Sequence, residues 1–525
     1  METDRKALAR LRDSLWRVEA NPSSAHCWHG LGRALRSVKD AESQKTALRE
    51  LLARTPADGE AGFLRATLMV SLTNSAQYLA EAGRLARKIR PVSSDRLMAF
   101  LNFTWGRVLA SSKGRDQFAE LFLNAGIPAL LALLARVLKH QAGEDLAARP
   151  MDAVRKVAVL APHLSTLDHA PTSLALHHAR MLAAQGFEVQ VFAAQELALP
   201  EMKYFLGNGE SSHIAPADRA AWQGLLPAGM PVHVADASFS PQMRWRNQWR
   251  RITAFDPDLI FLVGFFSPPV QALFPQRPVV GLSLHTTPPL APVDVWLTAD
   301  VDQAGQAVAR WAPALPPCEG YYYPYRIVLK PTGPALIRQQ LGLDASTLVF
   351  LTVGDRLTQE IEPTWGQKMV AFLRQHPQVQ WLLVGGRGEV PAALRGQLPE
   401  SQLRTLAHHA DIRGICRCCD VFVNPPRMGG GFSVAQAMAE ALPVAAYSGS
   451  DGGDKLGSLA AADDDAYFGL LADWIKAPSS RQEAGTRLQE RFRSMLDLEQ
   501  GGPALRAVCE RALALFQKRV SSSAS

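Results

Sequence analysis

The chain has 525 residues, three to four domains at roughly 150 residues each, and its 47% apolar and 20% charged composition excludes a wholly disordered or fibrous protein. Lys plus Arg number 56 against 49 Asp plus Glu, a net +7 that suits anionic partners in general but is spread too thinly to single out nucleic acid. Six cysteines are too sparse for a disulfide framework, which makes a reduced, cytoplasmic setting the simplest expectation.

The first residues, Met1-Glu2-Thr3-Asp4-Arg5-Lys6, are charged and lack the apolar core of an export signal. The longest apolar stretch, Leu259 to Phe274, is interrupted by Pro268-Pro269 and falls short of the ~18 residues a spanning helix needs. Residues 1–148 read as an all-α domain: Ala, Leu, Arg and Glu dominate and apolar positions recur at three- and four-residue spacing. Pro22, Pro56 and Pro91 lie 34 and 35 residues apart, and Trp28-His29-Gly30-Leu31-Gly32 stands between the first two. That period and the Trp-x-x-Leu-Gly start are tetratricopeptide-like, with a plain helical bundle as the other reading.

The pattern changes near residue 152. Val157–Ala161 is a short apolar strand, the polar loop His163 to His169 follows, a helix runs over about 172–185 to Gly186, and Glu188–Ala193 is a second strand. This is a strand–helix–strand unit of a parallel sheet. Further strands are predicted at Leu259–Val263, Val279–Leu284 and Val295–Thr298. Six prolines between 313 and 334 suit an extended linker. The pattern then restarts, with strands at Leu348–Val353, Gln380–Val384 and Asp420–Asn424 and helices over 480–518. The expected fold is therefore α/β, two Rossmann-like domains at 152–325 and 333–520 preceded by the all-α helical-repeat domain.

The most informative segment runs from Asn424 to Pro443. A strand leads into Gly429-Gly430-Gly431, which let a ligand approach the backbone. Ser433 stands where an N-cap belongs, and a helix from Val434 aims free amides at the loop, an arrangement that favours a phosphate.

Asp420-Val421-Phe422-Val423-Asn424-Pro425, then Gly430-Gly431-Phe432-Ser433-Val434-Ala435-Gln436-Ala437-Met438-Ala439, then Leu442-Pro443-Val444 resembles the donor-binding segment of GT-B glycosyltransferases. The resemblance spans about residues 152–500 and is strong between 420 and 455; the helical N-terminus also resembles the O-GlcNAc transferase group and its bacterial N-glucosyltransferase relatives. It implies a nucleotide-diphosphate sugar as donor, no required cofactor or metal, and an acceptor that is a protein or glycan. Donor-binding positions it implies are Gly354, Arg356, His409, Gly429, Gly430, Gly431, Phe432, Ser433, Gln436 and Lys455. Arg356 and Lys455 are the expected cations on the diphosphate, and His409 a contact to the base. Where retaining members carry two glutamates, this chain has Met428 and Gln436.

For acid–base chemistry the first α/β domain offers His285 at the tip of the strand Val279–Leu284, and Asp168 and His169 in the loop after the first strand, with His163 nearby. Histidine is suited to take an acceptor's proton near neutral pH. Trp245 and Trp249 fall on one face of a basic helix and read as packing residues, and Cys416, Cys418 and Cys419 as buried thiols. The expected function is glycosyl transfer; a catalytically inactive helical scaffold and a GT-B sugar-nucleotide epimerase stay open as alternatives, as does homo-oligomerisation.

Overall fold

The computed structural model describes residues 2–38, 40–111, 115–142, 146, 149–167, 169–196, 218–283, 287–299, 304–312, 314–329, 332–344, 346–427 and 429–524. They form two compact units, Met1–Tyr323 with Gly502–Ser525, and Pro324–Gly501.

The first unit begins with helices Glu2–Ala20, Ala25–Ser37, Ala41–Arg54, Gly59–Thr73, Ala76–Ala86, Ser94–Ser111, Arg115–Asn124 and Ile127–Ala142. Pro22, Pro56 and Pro91 each fall in a turn between helices, where a residue without an amide hydrogen costs no helical bond. The Ser24 hydroxyl and the Asp40 carboxylate cap the second and third helices by accepting from Cys27 N and Ser43 N. Trp28, fully buried, donates from Nε1 to Pro22 O at 2.6 Å and fastens the turn before its own helix.

A seven-stranded sheet follows: β1 (Lys156–Ala161), β2 (Glu188–Ala193), β3 (Val232–Val234), β4 (Leu259–Val263), β5 (Val279–Leu282), β6 (Val295–Thr298) and β7 (Glu319–Tyr322). All pairings are parallel, in the order β3-β2-β1-β4-β5-β6-β7. The central strands are apolar at every position because both faces are covered. The helices do not stand apart from this sheet. Phe265, just after β4, packs on Trp105 (ring centroids 4.8 Å), Phe122 (5.3 Å) and Trp311 (6.2 Å), within one buried cluster that runs from Phe63 through Leu134 to Leu290. Polar ties cross the same seam: Asn102 Nδ2 donates to Glu196 O (3.1 Å), and Gln242 N to Asp95 Oδ1 (3.0 Å).

Two expectations are corrected. The proline-rich stretch is not a free linker throughout, since it contains β7, paired to β6 along its whole length. The second unit stops at Gly501 rather than 520. The last helix, Gly502–Ala524, packs against the first sheet instead: Arg519 bonds Asp294 (3.0 Å) and stacks on Phe274 (3.6 Å), and Arg511 grips Glu319 with two bonds of 2.9 and 2.6 Å.

The second unit holds β8 (Leu348–Val353), β9 (Val379–Val384), β10 (Leu403–Leu406), β11 (Val421–Val423) and β12 (Val444–Ala445), again all parallel, in the order β10-β9-β8-β11-β12. Both sheets start in the middle, wind outward to one side, then reverse. In such sheets ligands bind at the carboxyl ends of the strands flanking the reversal, which here are β8 and β11. Among the described residues no helix is long and apolar enough to cross a membrane.

Removing the ring at the shared core tests the continuity of helices and sheet. Phe265→Ala is expected to destabilise the first unit by about 3–5 kcal/mol, measured by urea unfolding followed through the tryptophans.

Candidate functional site

The loops at the carboxyl ends of the second sheet are built on backbone. Gly354 leaves β8, Gly385-Gly386-Arg387-Gly388 leave β9, and their main chains lie in contact: a Cβ on Gly385 (φ +141°) would sit 2.2 Å from Gly354 O, and one on Gly388 (φ +73°) 2.9 Å from Ala407 N. Only glycine permits both the φ values and the approach. Between them lies a cavity of about 360 Å³, bounded by Gly354, Asp355, Gly386, Gly388 and the ends of β9 and β10 at Leu383 and Thr405. Asp355 fixes its rim by accepting from Gly386 N (2.9 Å) and meeting His408 Nδ1 (3.1 Å). Burial opposes ionisation of Asp355, but the Gly386 amide, His408 and Arg356 outweigh it and hold the carboxyl below its ordinary value.

The three glycines after β11 each abut a different charged group. A Cβ on Gly429 would lie 3.2 Å from Glu360 Oε1, on Gly430 2.3 Å from Arg427 Nη2, and on Gly431 2.5 Å from Asp451 Oδ2. Arg427 is the buried centre: its Nη2 donates to Val353 O (2.7 Å) and Asn424 Oδ1 (2.8 Å), Nε also reaches Asn424 Oδ1 (3.0 Å), and Nη1 pairs with Glu360 Oε2 (2.8 Å). Glu360 pairs in turn with Arg356 (2.9 Å). Gly430, at φ +90°, caps the helix Gly431–Ala439.

The structure thus brings Gly354, Arg356, Gly429, Gly430, Gly431, Phe432, Ser433 and Lys455 to the ends of β8, β11 and β12, and refines several roles. Ser433 is not the N-cap: the helix starts three residues earlier than the sequence pattern indicates, and the Ser433 hydroxyl donates back to Gly430 O (2.9 Å). Arg356 is mostly exposed but already paired with Glu360. Lys455 sits 3.4 Å from Asp451 Oδ1, and Asp451 Oδ2 accepts from Gly431 N (2.9 Å), so a carboxylate of the chain holds the first amide of the helix. Of the two histidines it is His408 that bonds the β8 loop, while His409 accepts from Asp411 N in its own turn (3.1 Å). Gln436 is half-buried one turn along the helix. Met428 lies outside the described residues. Sequence reasoning passed over Arg427, Glu360 and Asp451; a basic residue three positions past a strand-ending Asn, within a glycine loop, was the available signal for the first.

In the first unit, Asp168 and His285 lie outside the described residues. His169 caps the helix Ala170–Ala184 and places Nδ1 2.8 Å from Thr172 Oγ1, which itself accepts from Ser165 N (2.9 Å). His163 is buried beside it, ring centroids 6.2 Å apart, with both nitrogens unpartnered among the described residues. Near them Glu196 and Arg244 are each 1% exposed. Arg244 Nη1 bonds Gln195 O, and burial raises the Glu196 pKa far above the carboxylate range against the opposing pull of Arg244. Trp245 and Trp249 are buried as expected, and burial raises the thiol pKa values of Cys416, Cys418 and Cys419.

No family model matches the sequence, and no curated protein matches it. Thermobaculum terrenum O-GlcNAc transferase, in a lysine-to-methionine variant, aligns in structure over 99% of this chain and 99% of its own, at 12% identity and a TM-score of 0.58. Anabaena HepE in complex with UDP and glucose aligns over 68% of this chain and 99% of its own at 16% identity and a TM-score of 0.44. The Streptomyces nogalater glycosyltransferase SnogD aligns over 68% and 100%, at 16% identity and a TM-score of 0.36. The full-length likeness matches the two sheets described above: the chain has the GT-B fold, two Rossmann-like domains preceded by an all-α region.

Burial, with smaller contributions from His169 and Arg244, lowers the His163 pKa from 6.5 to about 4. Between these values the unfolded chain binds a proton that the folded chain does not, so stability falls as pH drops through that window, by up to about 1.4 kcal/mol per pH unit. Replacing the ring in His163→Gln is expected to flatten this loss, measured as the difference between variant and parent urea midpoints from about pH 7 to about pH 4.5.

Proposed function

We propose that the chain transfers a glycosyl group from a nucleoside-diphosphate sugar to an acceptor. The observation that carries this reading is that one sheet presents both a cavity of about 360 Å³ at the ends of β8 to β10 and a glycine-capped helix after the neighbouring β11. The base and ribose are assigned to the cavity, whose lining includes Asp355, Thr358 and Thr405. The diphosphate then falls at the helix, whose first-turn amides at Phe432 and Ser433 lack helical acceptors and favour anions. Arg356, steered by Glu360, is the cation beside it. Phe432 is exposed on that turn.

In this reaction the acceptor's nucleophilic atom bonds to the anomeric carbon, the bond from that carbon to the β-phosphate oxygen breaks, and the nucleoside diphosphate departs with the electron pair. The acceptor's proton passes to a base. His163 stays neutral near pH 7, its pKa lowered by burial to about 4. We assign that role to one of Asp168, His169 and His285, the residues the sequence offers for it. The helical region, which shares its core with the first sheet, supports a protein acceptor through the extended surface that stacked helices present.

The test is calorimetry with UDP, GDP, dTDP and ADP sugars, coupled to release of the nucleoside diphosphate. One conjugate is expected to bind and to be turned over. Arg356→Ala is expected to weaken its binding by about 1.5–3 kcal/mol, the scale of a charge-assisted hydrogen bond. Unchanged affinity in the folded variant would remove Arg356 from the site.

A further inference from the structure

In the first sheet the reversal lies between β1 and β4, and the carboxyl ends of such strands are where open α/β sheets receive a ligand. The loop after β1, from Pro162, carries His163, Asp168 and His169 to that place. Its backbone is held from the turn after β2. There Gln195 takes φ +54°, a left-handed conformation that is costly for a residue with a Cβ and persists only where its surroundings impose it. Gln195 is buried, and its side-chain amide takes both polar groups of one residue across the gap. Leu164 N donates to Oε1 and Nε2 donates to Leu164 O, each at 2.8 Å. Beside them Glu196 N donates to Pro162 O (2.8 Å). The strained turn is pinned in its own right: Arg244 Nη1 donates to Gln195 O, and Asn102 Nδ2 to Glu196 O. From the other side, a Cβ on Gly264, the residue after β4, would lie 2.8 Å from Pro162.

An amide that satisfies the N–H and C=O of one residue at once acts as a piece of backbone, fixing both where that residue stands and how it is turned. Leu164 adjoins His163 and lies five residues before His169. The following residue is tied as well, with Ser165 N donating to Thr172 Oγ1 (2.9 Å) and Trp222 Nε1 to Ser165 O (3.1 Å). Such precision matters for chemistry, since a displacement of about 1 Å can cost a rate about a hundredfold. We propose that Gln195 is a positioning residue for transfer to the acceptor: acting through Leu164, it fixes the loop that brings Asp168 and His169 to the reacting group. The strain at Gln195 is then offset by the clamp it makes possible. This assignment rests on the transfer reading above.

The experiment uses whichever of the UDP, GDP, dTDP and ADP sugars the full chain turns over. Release of the nucleoside diphosphate and donor affinity by calorimetry are compared in Gln195→Gly, Gln195→Asn and Gln195→Glu. Glycine relieves the left-handed turn and removes the clamp; asparagine tolerates the turn but is one methylene too short to reach both groups of Leu164. Both are expected to lower turnover about tenfold or more and to leave donor affinity within about twofold. Glutamate keeps the reach. Ionised, it cannot donate to Leu164 O; protonated, its carboxyl again offers one donor and one acceptor, and burial favours that form. Its turnover relative to the parent is therefore expected to rise as pH falls from about 8 to about 5.5, while the glycine and asparagine ratios stay flat. Near-parental turnover in Gln195→Gly would overturn the proposal, as would a glutamate ratio that ignores pH. Losses that only match the unfolded fraction of each variant, read from urea curves through the tryptophans, would make Gln195 structural and overturn it too. If the parent releases no nucleoside diphosphate from any of these sugars, the transfer reading itself fails and the assignment with it.

Discussion

The second unit's site depends on a guanidinium buried beneath a loop of glycines. Arg427 takes the place that side chains would otherwise fill under Gly354 and Gly430, and its donors are spent on Val353 O, Asn424 Oδ1 and Glu360. Removing one partner of such a buried pair costs about 3–5 kcal/mol, because the other charge is left uncompensated. Glycines at 354 and 430 are therefore a packing requirement as well as a conformational one. They leave room for the arginine, the arginine orders the loop, and Glu360 carries that order outward to Arg356 at the surface. The exposed cation is positioned from within.

The same logic explains why the helix after β11 offers only part of its first turn. Gly431 N already donates to Asp451, and Lys455 balances that carboxylate. An anion arriving at this helix meets amides one and two positions further along.

Much of this was legible in the sequence. Strands β2, β4, β6 and β8 span the residues predicted for them; β4 is apolar throughout because both its faces are covered, and β2 keeps polar residues only in its first half. The helix expected over about 172–185 is likewise present, as Ala170–Ala184. Where the pattern misled, tertiary structure had the final word. Ser433 carries the side chain of a cap, yet Gly430 adopts the left-handed turn that a Cβ beside Arg427 would forbid. Strand β7, with Glu319 and Gly320 among only four residues, has little propensity of its own and exists because Tyr323 N and Glu319 N find acceptors on the β6 side. The last helix reads as one more amphipathic segment; its partners in the structure, Glu319 and Asp294 for Arg511 and Arg519 and Met151 for Leu513 and Phe516, assign it to the first unit.

The two sheets share an order but differ in charge at the carboxyl ends of their first strands. Around the second, cations and carboxylates meet in pairs that tie loops to one another: Arg356 and Arg427 on Glu360, Lys455 on Asp451. At the ends of β1 and β2 in the first, His163, Glu196 and Arg244 are buried without ion pairs among the described residues, and burial drives His163 and Glu196 toward their neutral forms. Buried polar groups that lack partners are costly, whereas groups that need to exchange protons or receive a polar ligand cannot have all their bonds spent in advance. Rigid, pre-paired charge suits recognition of a fixed anion. Neutralised and unspent groups suit a place where bonds are made with something that arrives.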